Sequence, residues 1–264
     1  MPEYEVVGSS WFAKVKEVPG YPHLRIAIEA NIINRKRLDM ITLRALKTIQ
    51  EWLSLCNCPS VSFSCGKDST VVAHLARRLK PDIIILRHSS AEAHLPDVVE
   101  MMQYWRDELG ANIEEFVFGS LFEWYRKYGL DSPSIDRLYK KRVSEYERAR
   151  GIDGAVRGVR AEESAARRNL AKYSKRIRQQ NGIWICDPII GWTSDDVWAY
   201  IMFHRLPYAQ LYDLPDSTPR EKRRLGSVFG VSAAQYGRLV WLKKYYPELY
   251  GVFLKEFPEV SKYV

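Results

Sequence analysis

The sequence predicts an α/β fold: a doubly wound, five-stranded, mainly parallel sheet followed by a helical C-terminal extension. Three observations predict it. Short apolar, β-branched runs alternate with amphipathic segments over residues 34–206. The tightest of the strand-to-helix turns, Val61-Ser62-Phe63-Ser64-Cys65-Gly66-Lys67-Asp68-Ser69-Thr70, has the residues of an anion-binding loop. After Leu206 the alternation stops. Right-handed crossovers cover such a sheet on both faces, and ligands bind beyond the carboxyl ends of its strands.

Residues 1–35 read as irregular, with Pro19-Gly20-Tyr21-Pro22 as a turn cluster. The steps between Leu38, Ile41, Ala45, Ile49, Trp52 and Leu53 predict a helix over 34–55. The first strand then runs into the loop, and Val71, Val72, Leu75, Ala76 and Leu79 share one face of the helix that follows. Residues 82–87 form a continuous apolar run, as in a strand buried on both sides. Pro96 suits the first turn of a helix carrying Val98, Val99, Met102, Trp105 and Leu109, and Gly110 stops it. A third strand over 113–118 leads to a short aromatic helix at 121–128. Residues 135–150 read as a solvated surface helix with a thin stripe of Leu138, Tyr139, Val143 and Tyr146. The fourth strand is 155–160, a basic helix spans 162–180, and the fifth strand is 183–190. Thr193 and Ser194 begin another helix, with Asp195 and Asp196 at its positive end. A loop over 215–230 and two helical segments, 233–245 and 247–257, complete the chain. The division is therefore 1–35, an α/β domain over 36–213, and a basic loop with a helical extension over 214–264.

Apolar residues at 46% and charged residues at 27% describe a soluble, globular chain. No apolar run reaches about eighteen residues, and Met1-Pro2-Glu3-Tyr4-Glu5 lacks the basic start of a signal peptide. The expectation is a cytoplasmic protein with no membrane partner. Cys56, Cys58, Cys65 and Cys186 are too few and too scattered for a disulfide framework. Cys56-Asn57-Cys58 stands without a second ligand pair, so neither zinc nor an iron–sulfur cluster is expected. The net charge of +8 favours anions of any kind without choosing among them, and a homodimer is left open.

Backbone N–H groups of the loop and of the first helical turn lack partners within the helix and can converge on one oxyanion. Lys67 adds a positive charge, and Gly66 lets a ligand approach the main chain. The spacing is not that of the common phosphate loop, G-x-x-x-x-G-K-[ST]. Ser64-Cys65-Gly66-Lys67-Asp68-Ser69 instead resembles S-G-G-x-D-S, the PP-loop of the ATP pyrophosphatases, or adenine nucleotide alpha hydrolases, with Cys65 at the first glycine. Gly158-Val159-Arg160-Ala161-Glu162-Glu163-Ser164-Ala165-Ala166-Arg167 resembles the G-x-R-x-x-E-S-x-x-R stretch of phosphoadenosine phosphosulfate (PAPS) reductases. Residues 187–201 are similar to that family's P-L-x-x-W-x-x-x-D-V-W-x-Y-I, in which Trp192, Val197, Trp198 and Ile201 read as core. Residues 206–213 echo its L-P-Y-N-P-L-Y-D. The resemblance covers residues 60–213 and implies the PAPS reductase family within the PP-loop superfamily.

It implies a nucleotide site. Ser64, Cys65, Gly66, Lys67, Asp68, Ser69, Gly158, Arg160 and Arg167 would hold phosphates. Lys67, Asp68 and Arg160 would be catalytic, and Asp68 would also bind Mg2+. Guanidinium forks suit phosphate or sulfate oxygens. Arg157, Arg168, Lys172 and Lys175 read as surface residues. Two departures shape the function. The family's reductases use a C-terminal cysteine to take up the sulfo group, whereas this sequence has no cysteine beyond Cys186. His88-Ser89-Ser90-Ala91-Glu92 replaces the Asp-Thr-Gly step after the second strand, which leaves adenine recognition open. The first expectation is therefore ATP cleaved at the α-phosphate, with adenylyl transfer to an unknown acceptor and release of pyrophosphate. The second is a PAPS-dependent sulfonucleotide reductase or sulfurtransferase, with Arg220, Lys222, Arg223 and Arg224 either at the 3′-phosphate or on a solvated loop. The third is a nucleic-acid-binding or nucleic-acid-modifying protein, motivated by the net charge and the basic segments 137–150 and 220–224.

Overall fold

Strands β1 (Pro59–Ser62), β2 (Ile84–Ser89), β3 (Ile113–Val117), β4 (Gly154–Arg157), β5 (Ile177–Gln180) and β6 (Ile183–Cys186) form one sheet in the order β3-β2-β1-β4-β6-β5. Five run parallel, and β5 pairs antiparallel with β6 at one edge. The strand order reverses direction at β1 and β4, which leaves a crevice at their carboxyl ends. The computed structural model describes residues 35–213 and 238–264, with Arg223, Leu225 and Phe229 between them. The readings made for residues 1–34, for most of 215–230 and for 233–237 lie outside the described residues.

Helices α1 (Arg35–Leu53), α2 (Lys67–Leu79), α3 (Pro96–Asp107), α4 (Leu121–Tyr128), α5 (Pro133–Arg150), α6 (Ala165–Tyr173) and α7 (Ser194–Phe203) connect and cover the strands. The apolar faces read from the sequence are the buried ones. Val71, Val72, Leu75 and Ala76 of α2 are fully enclosed, as are Ala45, Ile49 and Trp52 of α1, while Leu79 is 37% exposed at the helix end. Each enclosed aliphatic side chain of Val or Leu size stabilises the fold by about 1.5–3 kcal/mol. Helix α7 buries Val197, Trp198, Ala199, Tyr200 and Ile201 in succession, so it is a core helix rather than an amphipathic one. Its start is a capping box: Thr193 Oγ1 accepts from the Asp196 N–H, and Asp196 accepts from the Thr193 N–H. Asp196 also receives both terminal nitrogens of Arg37, which ties α1 to α7.

The structure corrects one element. The stretch 162–180 is not a single helix but a 3₁₀ turn (Ala161–Glu163), helix α6 and strand β5. Ser174 ends the helix in extended backbone. Asn181 and Gly182 then adopt positive φ values of 53° and 83° and turn the chain into β6, so the sheet has six strands rather than five. An Asn-Gly pair favours a two-residue hairpin, and pairing with β6 wins over the helical propensity of the basic residues.

The C-terminal helices α8 (Arg238–Tyr245) and α9 (Pro247–Glu256) are present as expected, followed by a 3₁₀ segment (Pro258–Tyr263). Phe253 of α9 is fully buried and stacks on Phe122 of α4 with ring centroids 5.6 Å apart, and Phe257 lies 5.4 Å from the same ring. The Tyr125 hydroxyl donates to the Phe229 carbonyl (2.8 Å). This aromatic cluster clamps the extension beside the crevice.

Candidate functional site

A cleft of about 790 Å³ opens where β1, β2 and β4 end, within the size range of small-molecule sites. Ser64, Gly66, Lys67, Asp68 and Ser69 line one end, and β2 with its following loop lines the other. Arg157, Gly158, Arg167 and Arg223 complete the basic side, while Leu95, Phe118, Tyr125, Ile135 and Tyr139 form an apolar wall.

The loop is held by its own hydroxyls. Ser69 Oγ donates to the Gly66 carbonyl (2.9 Å), the Ser64 N–H donates to Ser69 Oγ (3.2 Å), and the Lys67 N–H donates to Tyr212 Oη (3.2 Å). Helix α2 has no side-chain cap at Gly66, which leaves its positive end directed at the cleft. Cys65 has φ of +60°, the left-handed region that glycine occupies without strain. Its side chain is fully buried, 3.7 Å from Arg87 Nη1, and burial pushes the thiol up to about 12. The expectation that this thiol faces phosphates is thus corrected: only the Cys65 main chain belongs to the loop.

Lys67 and Asp68 meet at the cleft floor, where Lys67 Nζ lies 2.7 Å from Asp68 Oδ2. The other carboxylate oxygen accepts from Arg160 Nε at 2.5 Å. Arg160 is 2% exposed and is also paired with Glu162, whose carboxylate accepts from the Ser194 N–H (2.7 Å). It does not line the cleft, so the expected direct contact between Arg160 and a ligand is replaced by a place behind Asp68. Arg167 does line the cleft, half-anchored by Glu163 at 2.7 Å, and Glu163 also accepts from the Arg160 N–H (2.9 Å). Gly158 packs the end of β4 onto the first turn of α2; an added Cβ would lie 2.6 Å from the Asp68 carbonyl carbon and 2.7 Å from the Ser69 nitrogen. Its glycine is therefore required by backbone approach.

Several wall residues escaped the sequence reading. Arg157, taken as a surface residue, lines the cleft but is bidentate to buried Asp187 (2.9 and 2.9 Å). Arg223 is buried and donates to the Leu211 carbonyl (2.7 Å), whereas Arg220, Lys222 and Arg224 lie outside the described residues. His88 Nδ1 pairs with Tyr139 Oη at 3.0 Å, and burial, then Arg87, lowers His88 to about 4. The imidazole is thus neutral near neutral pH. His88 and Ser89 line the cleft, while their Nε2 and Oγ atoms are buried behind its surface with no hydrogen-bond partner. Helix α5 has no fully buried residue, as a surface helix should, yet Ile135 and Tyr139 place one edge of it over the cleft. Glu92 does not face a ligand: it accepts from Ser120 Oγ (2.5 Å) and from the N–H groups of Leu121 (3.1 Å) and Phe122 (3.0 Å), capping α4.

The expected Mg2+ role of Asp68 does not fit this donor set. Both carboxylate oxygens already accept from cations, and no cluster of three His, Cys, Asp or Glu side chains able to hold a metal occurs among the described residues. Among the described residues no helix is long and apolar enough to cross a membrane.

Residues 58–226 match the phosphoadenosine phosphosulfate reductase domain. The chain belongs to that family. The family lies within the adenine nucleotide alpha hydrolase superfamily. It is 25% identical over 230 residues to the uncharacterized protein MJ0973 of Methanocaldococcus jannaschii, covering 83% of this chain and 53% of that protein. It is 31% identical over 120 residues to adenosine 5′-phosphosulfate reductase 2 of Bacillus subtilis (39% of this chain, 50% of that protein). Against the adenosine 5′-phosphosulfate reductase of Allochromatium vinosum the identity is 28% over 160 residues (57% and 61%). The chain thus spans only about half the length of these relatives. A crystal structure of PAPS reductase from Candida auris in complex with phosphate superposes with a TM-score of 0.53 at 16% identity, covering 74% of this chain and 97% of that one, a likeness of fold.

Proposed function

We propose that this PAPS reductase family member binds ATP in the cleft and directs cleavage at the α-phosphate, passing an adenylyl group to an acceptor. The observation that carries the reading is a phosphate-sized loop with a buried lysine and an uncapped helix end in a cleft that no thiol lines. An acceptor oxygen attacks the α-phosphorus, a P–O bond forms, and the bond from that phosphorus to the bridging oxygen breaks as pyrophosphate leaves. Charge builds on the phosphate oxygens and is offset by positioned donors rather than by a protein nucleophile. The loop N–H groups and the Ser64 hydroxyl hold oxygens, Ser69 shapes the loop through the Gly66 carbonyl, and Lys67 and Arg167 supply charge. Asp68 stores Lys67 until phosphates arrive, and Arg160 acts through Asp68 as a positioning residue. His88 and Ser89, whose Nε2 and Oγ are unpartnered, would have to turn toward the cleft to meet the hydrogen-bonding edge of a purine.

A sulfonucleotide reductase is the second reading, favoured by the names of the relatives. It requires a thiolate at the sulfur, since the thiol form is a poor nucleophile. Burial pushes Cys56 and Cys65 up to about 12 and raises Cys186 further. Cys58 precedes β1 at the end of the sheet away from the cleft. None of these four thiols is placed at the cleft, so this reading needs a thiol from outside the described residues. Calorimetric titration with ATP and with PAPS separates the readings: ATP should bind more tightly, with Lys67→Ala abolishing the heat. A strong preference for PAPS would overturn the first reading.

A further inference from the structure

Helix α6 leaves the cleft at Arg167 and buries none of its nine residues. A helix of a globular protein normally covers a core with an apolar stripe, so one without it has a surface to offer. From Ser164 to Gly182 the sequence holds six Lys and Arg residues and no Asp or Glu. Arg167 is paired with Glu163, and Arg178 with Asp187. Arg168, Lys172, Lys175 and Arg176 are all exposed and have no acidic partner among the described residues. Among them stands Tyr173, 74% exposed, with Lys172 Nζ 5.1 Å from its ring centroid. A large aromatic ring in water, flanked by unneutralised cations and beside a cleft, combines a stacking platform with a track for phosphates.

We infer that α6 and the Ser174–Arg176 segment leading into β5 dock a single-stranded stretch of RNA, whose unpaired nucleotide is presented to the cleft as the acceptor. Only its role as acceptor rests on the proposed adenylyl transfer; the docking surface stands on the charges and the ring. An unpaired strand fits better than a duplex because a cleft of about 790 Å³ admits single nucleotides, not a double helix. An acidic protein partner would match the charge but leave Tyr173 without a stacking role.

The test is fluorescence anisotropy of the full chain with a fluorescein-labelled single-stranded RNA of about 20 nucleotides, long enough for one binding site. Binding should weaken with salt, the slope of log affinity against log salt being about −0.7 per phosphate contacted. R168Q/K172Q/K175Q/R176Q should flatten that slope by about 3 while leaving ATP affinity intact. Tyr173→Ala should weaken binding about five- to one-hundred-fold, the range of one lost stack. No binding at low salt, an unchanged slope in the quadruple variant, or equal competition by a polyglutamate peptide would overturn the inference. Lys67→Ala should bind RNA as the unmodified chain does. If the unmodified chain binds RNA in this pattern but no ATP, the docking surface stands and the adenylyl-transfer reading fails.

Discussion

Substituting Gly158 by alanine tests whether the phosphate loop is positioned by the contact between β4 and α2. The new Cβ would meet the Asp68 carbonyl carbon at 2.6 Å, its oxygen at 2.7 Å and the Ser69 nitrogen at 2.7 Å. Carbon atoms in contact rest at about 3.5–4.0 Å, so the strand end or the helix start must retreat by about 1 Å. Both partners are backbone, so no side-chain rotation relieves the clash. Overpacking of this kind costs about 1–3 kcal/mol of stability. A displacement of about 1 Å also takes loop donors out of hydrogen-bond range, and losing one or two such bonds to a charged ligand weakens ATP binding about 10- to 100-fold. Urea denaturation reads the first effect and calorimetry the second. Gly191→Ala is the control, because its added Cβ has only Arg176 Nη2 nearby, at 3.7 Å. A folded Gly158→Ala protein with unchanged ATP affinity would refute the reasoning.

Arg160→Gln removes the charged hydrogen bonds to Asp68, which keeps Lys67, and to Glu162, and should cost about 1.5–3 kcal/mol in urea unfolding; a loss no larger than that of a surface arginine would contradict the placement. Cys65, fully buried and pushed up to about 12, should resist iodoacetamide near pH 8 until the protein unfolds, and rapid native labelling by mass spectrometry would count against it. His74, His88 and His204 are lowered from 6.5 to about 4, chiefly by burial. The unfolded chain therefore binds more protons than the folded one between those values. Stability should be complete above pH 6.5 and fall as the pH drops toward about 4, by up to about 3 kcal/mol per histidine. A flat unfolding free energy across that window would exclude neutral buried imidazoles.

The sequence made the parallel strands and their helices legible because burial enforces the pattern: Val71, Val72, Leu75 and Ala76 can share one face only if that face meets a sheet. The loop at Ser64–Ser69 was legible for a chemical reason, since Ser, Gly, Lys and Asp at a strand end rarely serve packing. What escaped was set by contacts distant along the chain. Strand β5 exists because Gln180 can pair with Ile183 across Asn181-Gly182, a local signal outweighed by the run of basic, helix-compatible residues before it. Arg160 looked like a ligand arginine, yet Asp68 lies 92 positions away and claims it. Tyr139 sits on a highly charged helix whose stripe suggested solvent, while His88, across the cleft, gives its hydroxyl a partner.

The most direct measurement is a crystal structure of the protein soaked with a non-hydrolysable ATP analogue. The account predicts the triphosphate against the Ser64–Ser69 loop, Lys67 Nζ moved from Asp68 onto a phosphate oxygen, and the purine beside His88 and Ser89. An analogue bound elsewhere, or an empty cleft with the Lys67–Asp68 pair intact at saturating concentration, would contradict it.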